Sequence, residues 1–296
     1  MHSLVIGMGI GSLYAKVLRE AGHIVTTVDT NPAVGADYAT VDAALAAKNM
    51  YDTVHICTPN FTHYELANKV ATQARIVFVE KPGVETAEQW EDLVLTHICT
   101  RFMLVKNNQH RENIDTLISL ARSSTNVKLH WINKNRVPHA GSWFTTASQA
   151  FGGVSRDLLP HLLSFVSYFE PNFEDLGIIR MEKQQRWQLS DLTNTEYGTV
   201  NQNGTYNVDD FAMIAFNSED NSRRFELVAD WRSNVTDDRS IEFVGTTGSI
   251  KFQLGLCPEP AYIAMIETAF RNLNNDAYWD GQFAQDMWIH RTMEII

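Results

Sequence analysis

The chain has 296 residues, which is more than one hydrophobic core usually holds, so we expect two domains. Its 44% hydrophobic and 20% charged residues are typical of a globular protein, and no apolar run has the length of a membrane span. The net charge of −11 argues against nucleic acid or an anionic membrane as a partner, because both need a basic surface.

The start of the chain has no basic region before its apolar stretch, which favours a first strand over a signal peptide. The three cysteines, Cys57, Cys99 and Cys257, are odd in number and have no metal-ligand spacing. We therefore expect a soluble protein of the reducing cytoplasm without a metal site.

The first 122 residues alternate between short strand patterns and helical patterns. In chain order we predict a strand at 3–6, a glycine-rich turn at 7–12, a helix at 13–21, a strand at 24–28, a helix at 42–48, a strand at 53–57, a helix at 63–74, a strand at 76–79, a helix at 86–96 and a strand at 102–105. Such alternation predicts an α/β fold with a doubly wound parallel sheet, a Rossmann domain over residues 1–122.

From residue 123 the pattern changes to longer strands with fewer helices. We predict a strand at 127–133, an amphipathic helix within 151–169, strands at 177–181, 211–216, 224–231, 240–244 and 249–253, and a closing helix at 259–270. Residues 123–296 should therefore form an α+β domain with an open, mainly antiparallel sheet. Few helices remain to cover that sheet, so we expect an apolar face that joins a homodimer or homotetramer.

The glycine-rich turn fits the dinucleotide fingerprint. Gly7 permits the tight turn, Gly9 lets the backbone approach a pyrophosphate, and the small Ser12 allows close packing of helix on strand. Asp29 ends the next strand, where a carboxylate accepts hydrogen bonds from ribose hydroxyls and repels a 2′-phosphate. The pattern predicts NAD, with NADP less favoured; the alternative is a tight turn that has lost its ligand. The predicted loop contacts to the cofactor are Gly7, Gly9, Ile10, Gly11 and Ser12.

Two further strand ends carry polar residues, at the edge where doubly wound sheets bind ligands. Lys81 follows one of them, where its ammonium group could donate a hydrogen bond to a substrate oxygen; the alternative is a surface lysine. His63 either contacts the cofactor or flanks its own helix. We predict cofactor contacts from Thr58, Pro59, Asn60, His63, Glu80 and Lys81.

Asp157 and His161 are four residues apart after a pair of glycines, so on a helix they share a face. A carboxylate can orient an imidazole and stabilise its charged form, which suits a histidine to general acid/base chemistry. The alternative is a core histidine near a helix start that Asp157 caps.

The ordered motifs GMGIGS, TPNFTH, EKP and GGVSRDLLPH resemble those of the Gfo/Idh/MocA oxidoreductases, which include glucose–fructose oxidoreductase and inositol dehydrogenase. The resemblance extends to IEFVGTTGSIKF and PAYIAMIETAF and so covers nearly the whole chain. It implies a Rossmann domain followed by an α+β domain whose open sheet often supports oligomers. It also implies that Lys81, Asp157 and His161 are the catalytic residues.

Two segments depart from the family pattern. Leu158, Leu159 and Pro160 stand where glycine is common between the aspartate and the histidine. The segment from Asn107 to Arg111 replaces a common aromatic residue and arginine. Both departures concern the substrate more than the chemistry. We also expect Trp143 and the region of Arg136 to lie near the substrate.

The function that follows is NAD-dependent hydride transfer between the nicotinamide and a ring hydroxyl or ketone of a sugar, cyclitol or sugar derivative. His161 would take the hydroxyl proton, Lys81 would hydrogen-bond the same oxygen, and Asp157 would orient His161. One alternative is a reductase of a non-sugar substrate, such as a biliverdin-reductase-like or imine-reducing enzyme. Another is a non-catalytic NAD-sensing protein.

Overall fold

The structure is a computed structural model that describes residues 1–233 and 236–296. The chain divides into two compact units. Unit 1 comprises Met1–His110 and Pro258–His290, and unit 2 comprises Arg111–Cys257 and Arg291–Ile296. No helix within the described residues is both long enough and apolar enough to cross a membrane.

Unit 1 contains a five-stranded parallel sheet in the order β2-β1-β3-β4-β5. Its strands are β1 (His2–Ile6), β2 (Ile24–Val28), β3 (Tyr51–Ile56), β4 (Ala74–Val79) and β5 (Arg101–Leu104). The successive residues Leu4, Val5 and Ile6 are all buried. Because neighbouring side chains of a strand point to opposite faces, both faces of the sheet are covered, as in a doubly wound fold.

The helices follow the strands in chain order. They are α1 (Gly11–Glu20), α2 (Val41–Ala47), α3 (His63–Ala71), α4 (Ala87–Thr96), α5 (Ile114–Arg122), α6 (Ala147–Ala150), α7 (Val154–Asp157), α8 (Leu159–Phe169), α9 (Glu259–Arg271) and α10 (Asp276–Ile295). Of these, α1 to α4, α9 and the part of α10 up to His290 belong to unit 1. The predicted domains 1–122 and 123–296 place residues 111–122 and 258–290 differently from the two units, and their boundary stays a prediction.

Unit 2 contains a six-stranded sheet in the order β13-β12-β6-β11-β10-β7 and a two-stranded hairpin, β8-β9. The strands are β6 (Asn126–Ile132), β7 (Gly177–Gln184), β8 (Asn194–Thr195), β9 (Gly198–Thr199), β10 (Phe211–Asn217), β11 (Arg224–Asp230), β12 (Asp238–Gly245) and β13 (Gly248–Gln253). Among the described strands of this sheet only β6 and β11 pair in parallel, so the sheet is mainly antiparallel, which confirms the predicted fold class.

The two faces of the large sheet differ in chemistry. One face is buried and packs on α8, which contacts β6 and β11. The opposite face carries neighbouring opposite charges, such as Lys128 and Glu242 at 3.1 Å and Lys251 and Asp238 at 2.9 Å. Phe211 and Met213 lie on that face half-buried. The expected apolar face is therefore a charged face with an apolar strip.

Some predicted elements need correction. The helix predicted at 63–74 ends at Ala71, because the chain turns there and β4 begins at Ala74. The helix predicted within 151–169 is broken at Leu158 into α7 and α8, and Pro160 lies in the first turn of α8. Helices α5, α6 and α10 were not predicted.

A buried ion pair lies at the carboxyl end of β5. The ammonium of Lys106 pairs with Oδ1 of Asp286 in α10, and the two side chains are 1% and 0% exposed. The other oxygen of Asp286 accepts the backbone N–H of Leu104 at 3.0 Å. Two buried charges are tolerated only when they compensate each other, so this pair holds α10 against the sheet.

We expect Asp286→Asn to lower the free energy of unfolding by about 3–5 kcal/mol, because it leaves the Lys106 ammonium buried without its counter-charge. Urea denaturation measures the change. The double variant Lys106→Met/Asp286→Leu should lose much less, since it removes both charges. Asp42→Asn is the control: it breaks the exposed pair of Asp42 with Lys69 and should cost below about 1 kcal/mol. A loss from Asp286→Asn no larger than this control would contradict the role of the pair.

Candidate functional site

The turn that links β1 to α1 has the geometry of a nucleotide-binding loop. Gly7 has φ of +87°, and a Cβ there would lie 2.7 Å from the carbonyl oxygen of Cys57. Its N–H donates to the carbonyl of Val28 at 2.8 Å. Only glycine fits this position, because the left-handed conformation and the close backbone both exclude a side chain.

The close packing of helix on strand belongs to Gly11 rather than to Ser12. A Cβ on Gly11 would lie 2.9 Å from a side-chain carbon of Val5, and Gly11 is buried. Ser12 is exposed, and its hydroxyl donates to the carbonyl of Met8. The packing role predicted for Ser12 is therefore wrong. Gly11, one position earlier, has this role, because α1 begins at Gly11 and this residue faces the sheet.

The loop leaves room and hydrogen-bond donors for a diphosphate. No side chain of the described residues caps the start of α1 at Ile10, so no side chain there competes with an anion for the N–H groups of the helix start. Apart from Gly9 itself and its two chain neighbours, no described atom lies within 4 Å of where a Cβ on Gly9 would be, so a ligand can approach the backbone. Ile10 is 42% exposed beside it. These residues fit the pyrophosphate of a dinucleotide.

Asp29 lies just beyond β2 and holds the loop. Its Oδ2 accepts the N–H of Met8 at 2.7 Å, and its Oδ1 accepts the N–H of Asn31 at 2.8 Å. A carboxylate oxygen has two acceptor directions, so Asp29 can still receive ribose hydroxyls while it holds Met8. The same side chain therefore shapes the loop and faces the place predicted for the ribose.

The residues after β3 form a compact turn. The hydroxyls of Thr58 and Thr62 are 2.7 Å apart, Asn60 is buried, and Pro59 accepts a bond from Thr62 at 2.7 Å. His63 is fully buried, and its Nδ1 and Nε2 lie 2.7 and 2.8 Å from the carbonyls of Gly83 and Thr58. Burial lowers the pKa of His63. The ring thus braces two loops, and its predicted contact with the cofactor stays a prediction.

Glu80 and Lys81 follow β4 in a turn joined to α1. The carboxylate of Glu80 is buried and accepts the hydroxyl of Tyr14 at 2.7 Å and the N–H of Lys81 at 3.2 Å. Burial, and then the charge of Glu80, raises the pKa of Tyr14. Lys81 is half-buried, and its peptide bond with Pro82 is cis. Glu80 therefore holds the backbone at Lys81 and ties it to α1 through Tyr14.

In unit 2 the start of α7 is held by Asp209. Its carboxylate accepts the N–H groups of Gly153 at 3.0 Å and Ser155 at 2.8 Å, and also the Ser155 hydroxyl at 2.9 Å. The backbone carbonyl of Asp209 accepts the N–H of Val154 at 2.9 Å. A carboxylate at the first N–H groups of a helix is favourable in charge and in hydrogen bonding. This contact fixes the segment that carries Asp157.

Two tryptophans contact the predicted acid/base pair. The indole N–H of Trp231 donates to Oδ2 of Asp157 at 2.8 Å. The ring of Trp131 in β6 stacks on His161, with 5.0 Å between the ring centres and an angle of 22°. Asp157 and His161 are both half-buried, at the end of α7 and the start of α8. Each of the two is therefore held by a tryptophan that lies in or directly after a strand of the large sheet.

The segments near the expected substrate are engaged in local contacts. Arg136 pairs with Glu196 and with Asp237, the latter at 2.9 Å, and these partners raise the pKa of Arg136. Trp143 stacks on Phe144 at 4.0 Å. Residues Asn107–His110 form a short helical turn in unit 1, whereas Arg111 donates to the carbonyl of Gly255 in unit 2 at 2.8 Å.

Lys81 thus lies in unit 1, and Asp157 and His161 lie in unit 2. Their joint action on one substrate atom stays a prediction. The residues that hold the predicted site residues were missed by the sequence patterns. They are Tyr14, Asp209, Trp131, Trp231 and, on α10, His290.

A parallel sheet, a glycine loop that opens a helix and a carboxylate after the next strand define a dinucleotide-binding unit of the oxidoreductase type. Residues 1–98 match the model of the Gfo/Idh/MocA family, described as an oxidoreductase family with an NAD-binding Rossmann fold. The resemblance stated from the motifs is confirmed over residues 1–98, which match this family's NAD-binding Rossmann fold, and the cofactor that this match supports is NAD.

A curated relative is the putative UDP-kanosamine synthase oxidoreductase subunit of Amycolatopsis mediterranei (strain S699), 27% identical over 184 residues. The match covers 57% of this chain and 51% of the relative, so the chain spans about half the length of that protein.

Solved structures agree on the fold across the chain. Levoglucosan dehydrogenase in complex with NADH and levoglucosan has a TM-score of 0.78 at 15% identity, with 100% of this chain and 96% of that chain covered. GenD2 from gentamicin A biosynthesis in complex with NAD has a TM-score of 0.73 at 17% identity, with 98% and 92% covered. At these identities the likeness shows the fold alone.

We expect Asp29→Asn to weaken NAD binding by about tenfold and to narrow the preference for NAD over NADP, because the carboxylate both holds Met8 and would receive the ribose hydroxyls. Calorimetry with each dinucleotide measures both effects. Asp37→Asn is the matched control: that carboxylate also accepts a backbone N–H, from Thr27 at 2.8 Å, next to the same strand. Tighter binding of NADP than of NAD by the unaltered protein would refute the role of Asp29.

Proposed function

We propose that this protein transfers a hydride between NAD and a ring hydroxyl or ketone of a sugar, cyclitol or sugar derivative. The observation that carries the proposal is the anchored pair in unit 2, where Trp231 fixes Asp157 and Trp131 fixes the His161 ring. A histidine whose ring is held in one orientation suits proton transfer. The match of residues 1–98 to the family model, together with the glycine loop, supports the redox half of the reaction.

Bound NAD would supply the hydride acceptor, and the residues of this chain would supply the proton transfer. In oxidation, the C–H hydrogen leaves as hydride while the hydroxyl proton passes to a ring nitrogen of His161. The Asp157 carboxylate stabilises the imidazolium that results. Trp131 limits rotation of the ring, so the accepting nitrogen keeps its direction between turnovers.

The ammonium of Lys81 would donate a hydrogen bond to the oxygen that loses its proton, and so would stabilise the developing negative charge. The braces around Lys81 support this role, since Glu80 accepts its N–H and is itself held by Tyr14. In the reverse reduction the same groups act in the opposite order, with His161 returning the proton to the ketone oxygen.

We expect Lys81→Ala and His161→Ala each to lower kcat by about 10²- to 10⁴-fold, because each removes a group that acts on the reacting oxygen. NAD affinity by calorimetry should be nearly unchanged. Asp157→Asn should lose less, since the amide can still accept the indole N–H of Trp231. Turnover is followed at 340 nm with NAD and three probes: levoglucosan, myo-inositol and UDP-glucose.

Lys134→Ala and His2→Ala are the controls for these variants, because Lys134 is an exposed lysine and His2 lies at the start of β1. Both should keep the activity of the unaltered protein. If Lys81→Ala or His161→Ala also kept it, the roles assigned to those residues would be wrong.

We further propose that two or four copies assemble through the charged face of the six-stranded sheet. Opposite charges alternate there across β6, β12 and β13, and a half-buried strip with Phe211 and Met213 lies on the same face. Such a face can meet its own copy around a two-fold axis, with the apolar strip at the centre and ion pairs at the rim.

Met213→Glu should therefore dissociate the assembly, because a charge would be buried at the centre of the interface. Light scattering at micromolar concentration measures the mass. Leu95→Glu is the control, since it places the same charge on an apolar residue of α4 that is 64% exposed in unit 1. A monomer in the unaltered protein would refute the proposed assembly.

A further inference from the structure

One peptide group next to Lys81 is held at both of its ends by histidines. The carbonyl of Gly83 lies 2.7 Å from Nδ1 of His63, and the N–H of Val84 donates to Nε2 of His290 at 3.2 Å. This carbonyl and this N–H belong to the same peptide bond. All of these residues lie in unit 1, and both imidazoles are fully buried.

His290 is itself fixed in α10. Its Nδ1 lies 2.7 Å from the carbonyl of Asp286, one helical turn earlier, and its ring stacks on Trp90 with 5.0 Å between the ring centres. Because Nε2 accepts the N–H of Val84, the proton of the ring must be on Nδ1, where the carbonyl of Asp286 receives it. The ring therefore has one orientation and one tautomer.

Gly83 has no side chain because the ring occupies that space. Its φ is +88°, and a Cβ there would lie 2.3 Å from Nε2 of His290. The N–H of Gly83 donates to the carbonyl of Glu80 at 2.9 Å, which closes the turn that contains Lys81. The turn is thus fixed on both sides. Before Lys81, Tyr14 holds Glu80. After Lys81, the two histidines hold the peptide between Gly83 and Val84.

We infer that His290 is a positioning residue for Lys81: α10 sets the backbone from which the lysine reaches the substrate oxygen. The inference rests on the proposed function, in which Lys81 acts on that oxygen. A displacement of about 1 Å at a catalytic group can cost about 10²-fold in rate, so the hydrogen bond to Val84 matters for turnover rather than for NAD binding.

The test compares two substitutions of similar polarity. The amide oxygen of His290→Gln can reach the position of Nε2 and accept the N–H of Val84, whereas the shorter side chain of His290→Asn reaches only the position of Nδ1. We expect His290→Asn to lower kcat by about 10²-fold with unchanged NAD affinity, and His290→Gln to recover most of the loss. The probes are NAD with levoglucosan, myo-inositol and UDP-glucose.

Hydrogen exchange gives a readout that does not depend on turnover. In His290→Asn the amide of Val84 should exchange at least about tenfold faster, while the amide of Leu104, which Asp286 holds, should be unchanged. Trp90→Phe is the stability control: it weakens the stacking on His290 but keeps the bond to Val84, so it should lower the melting temperature without the same loss of kcat.

The failures of the two proposals differ. Unchanged kcat in His290→Asn, with an active parent protein, overturns the positioning role and leaves the proposed function standing. An equal loss of kcat in Trp90→Phe at equal stability also overturns it, since the effect would then be general. A parent protein that turns over none of the probes overturns the proposed function, and the positioning role with it.

Discussion

The ion pair of Lys106 and Asp286 joins residues that are 180 positions apart and excludes water from both charges. Burial of either charge alone would be strongly unfavourable, so the folded unit 1 exists only with α10 in place. The part of α10 up to His290 is therefore part of the Rossmann unit, whereas Arg291–Ile296 belong to unit 2. His290 follows Asp286 by one helical turn and contacts its backbone carbonyl, so the same pair helps to place His290.

In unit 1, polar side chains also fix the loops that follow the strands. The loops after the strands carry the predicted ligand contacts, and buried or half-buried polar groups hold each loop to its neighbours. Asp29 holds the glycine loop through Met8, and Glu80 is held by Tyr14. His63 touches two loops at once. In a water-poor interior such bonds are costly to break, because each would leave an unsatisfied polar group, so the loops keep their shape without a ligand.

The sequence predicted the elements whose pattern is local. The parallel strands, the glycine loop and the second sheet each follow from periodicity and turn residues within a short window, and all are present. Helix α10 could not be predicted this way. Its inward face includes Asp286 and His290, which interrupt the apolar pattern that marks a helix, and only their distant partners explain them. The buried polar residues of α10 are thus the reason that the sequence pattern did not reveal this helix.

The same reasoning applies to the predicted site. The spacing of Asp157 and His161 was visible, but the break at Leu158 meant that no single helix aligned them. Trp131 and Trp231 take over that task from the ends of β6 and β11, which are parallel neighbours in the middle of the sheet. A central strand is a better support than one helical turn, because its backbone is hydrogen-bonded to a neighbouring strand on both sides. The family departure at Leu158–Pro160 is therefore compatible with a held histidine: the sheet supplies the orientation that a continuous helix would otherwise give.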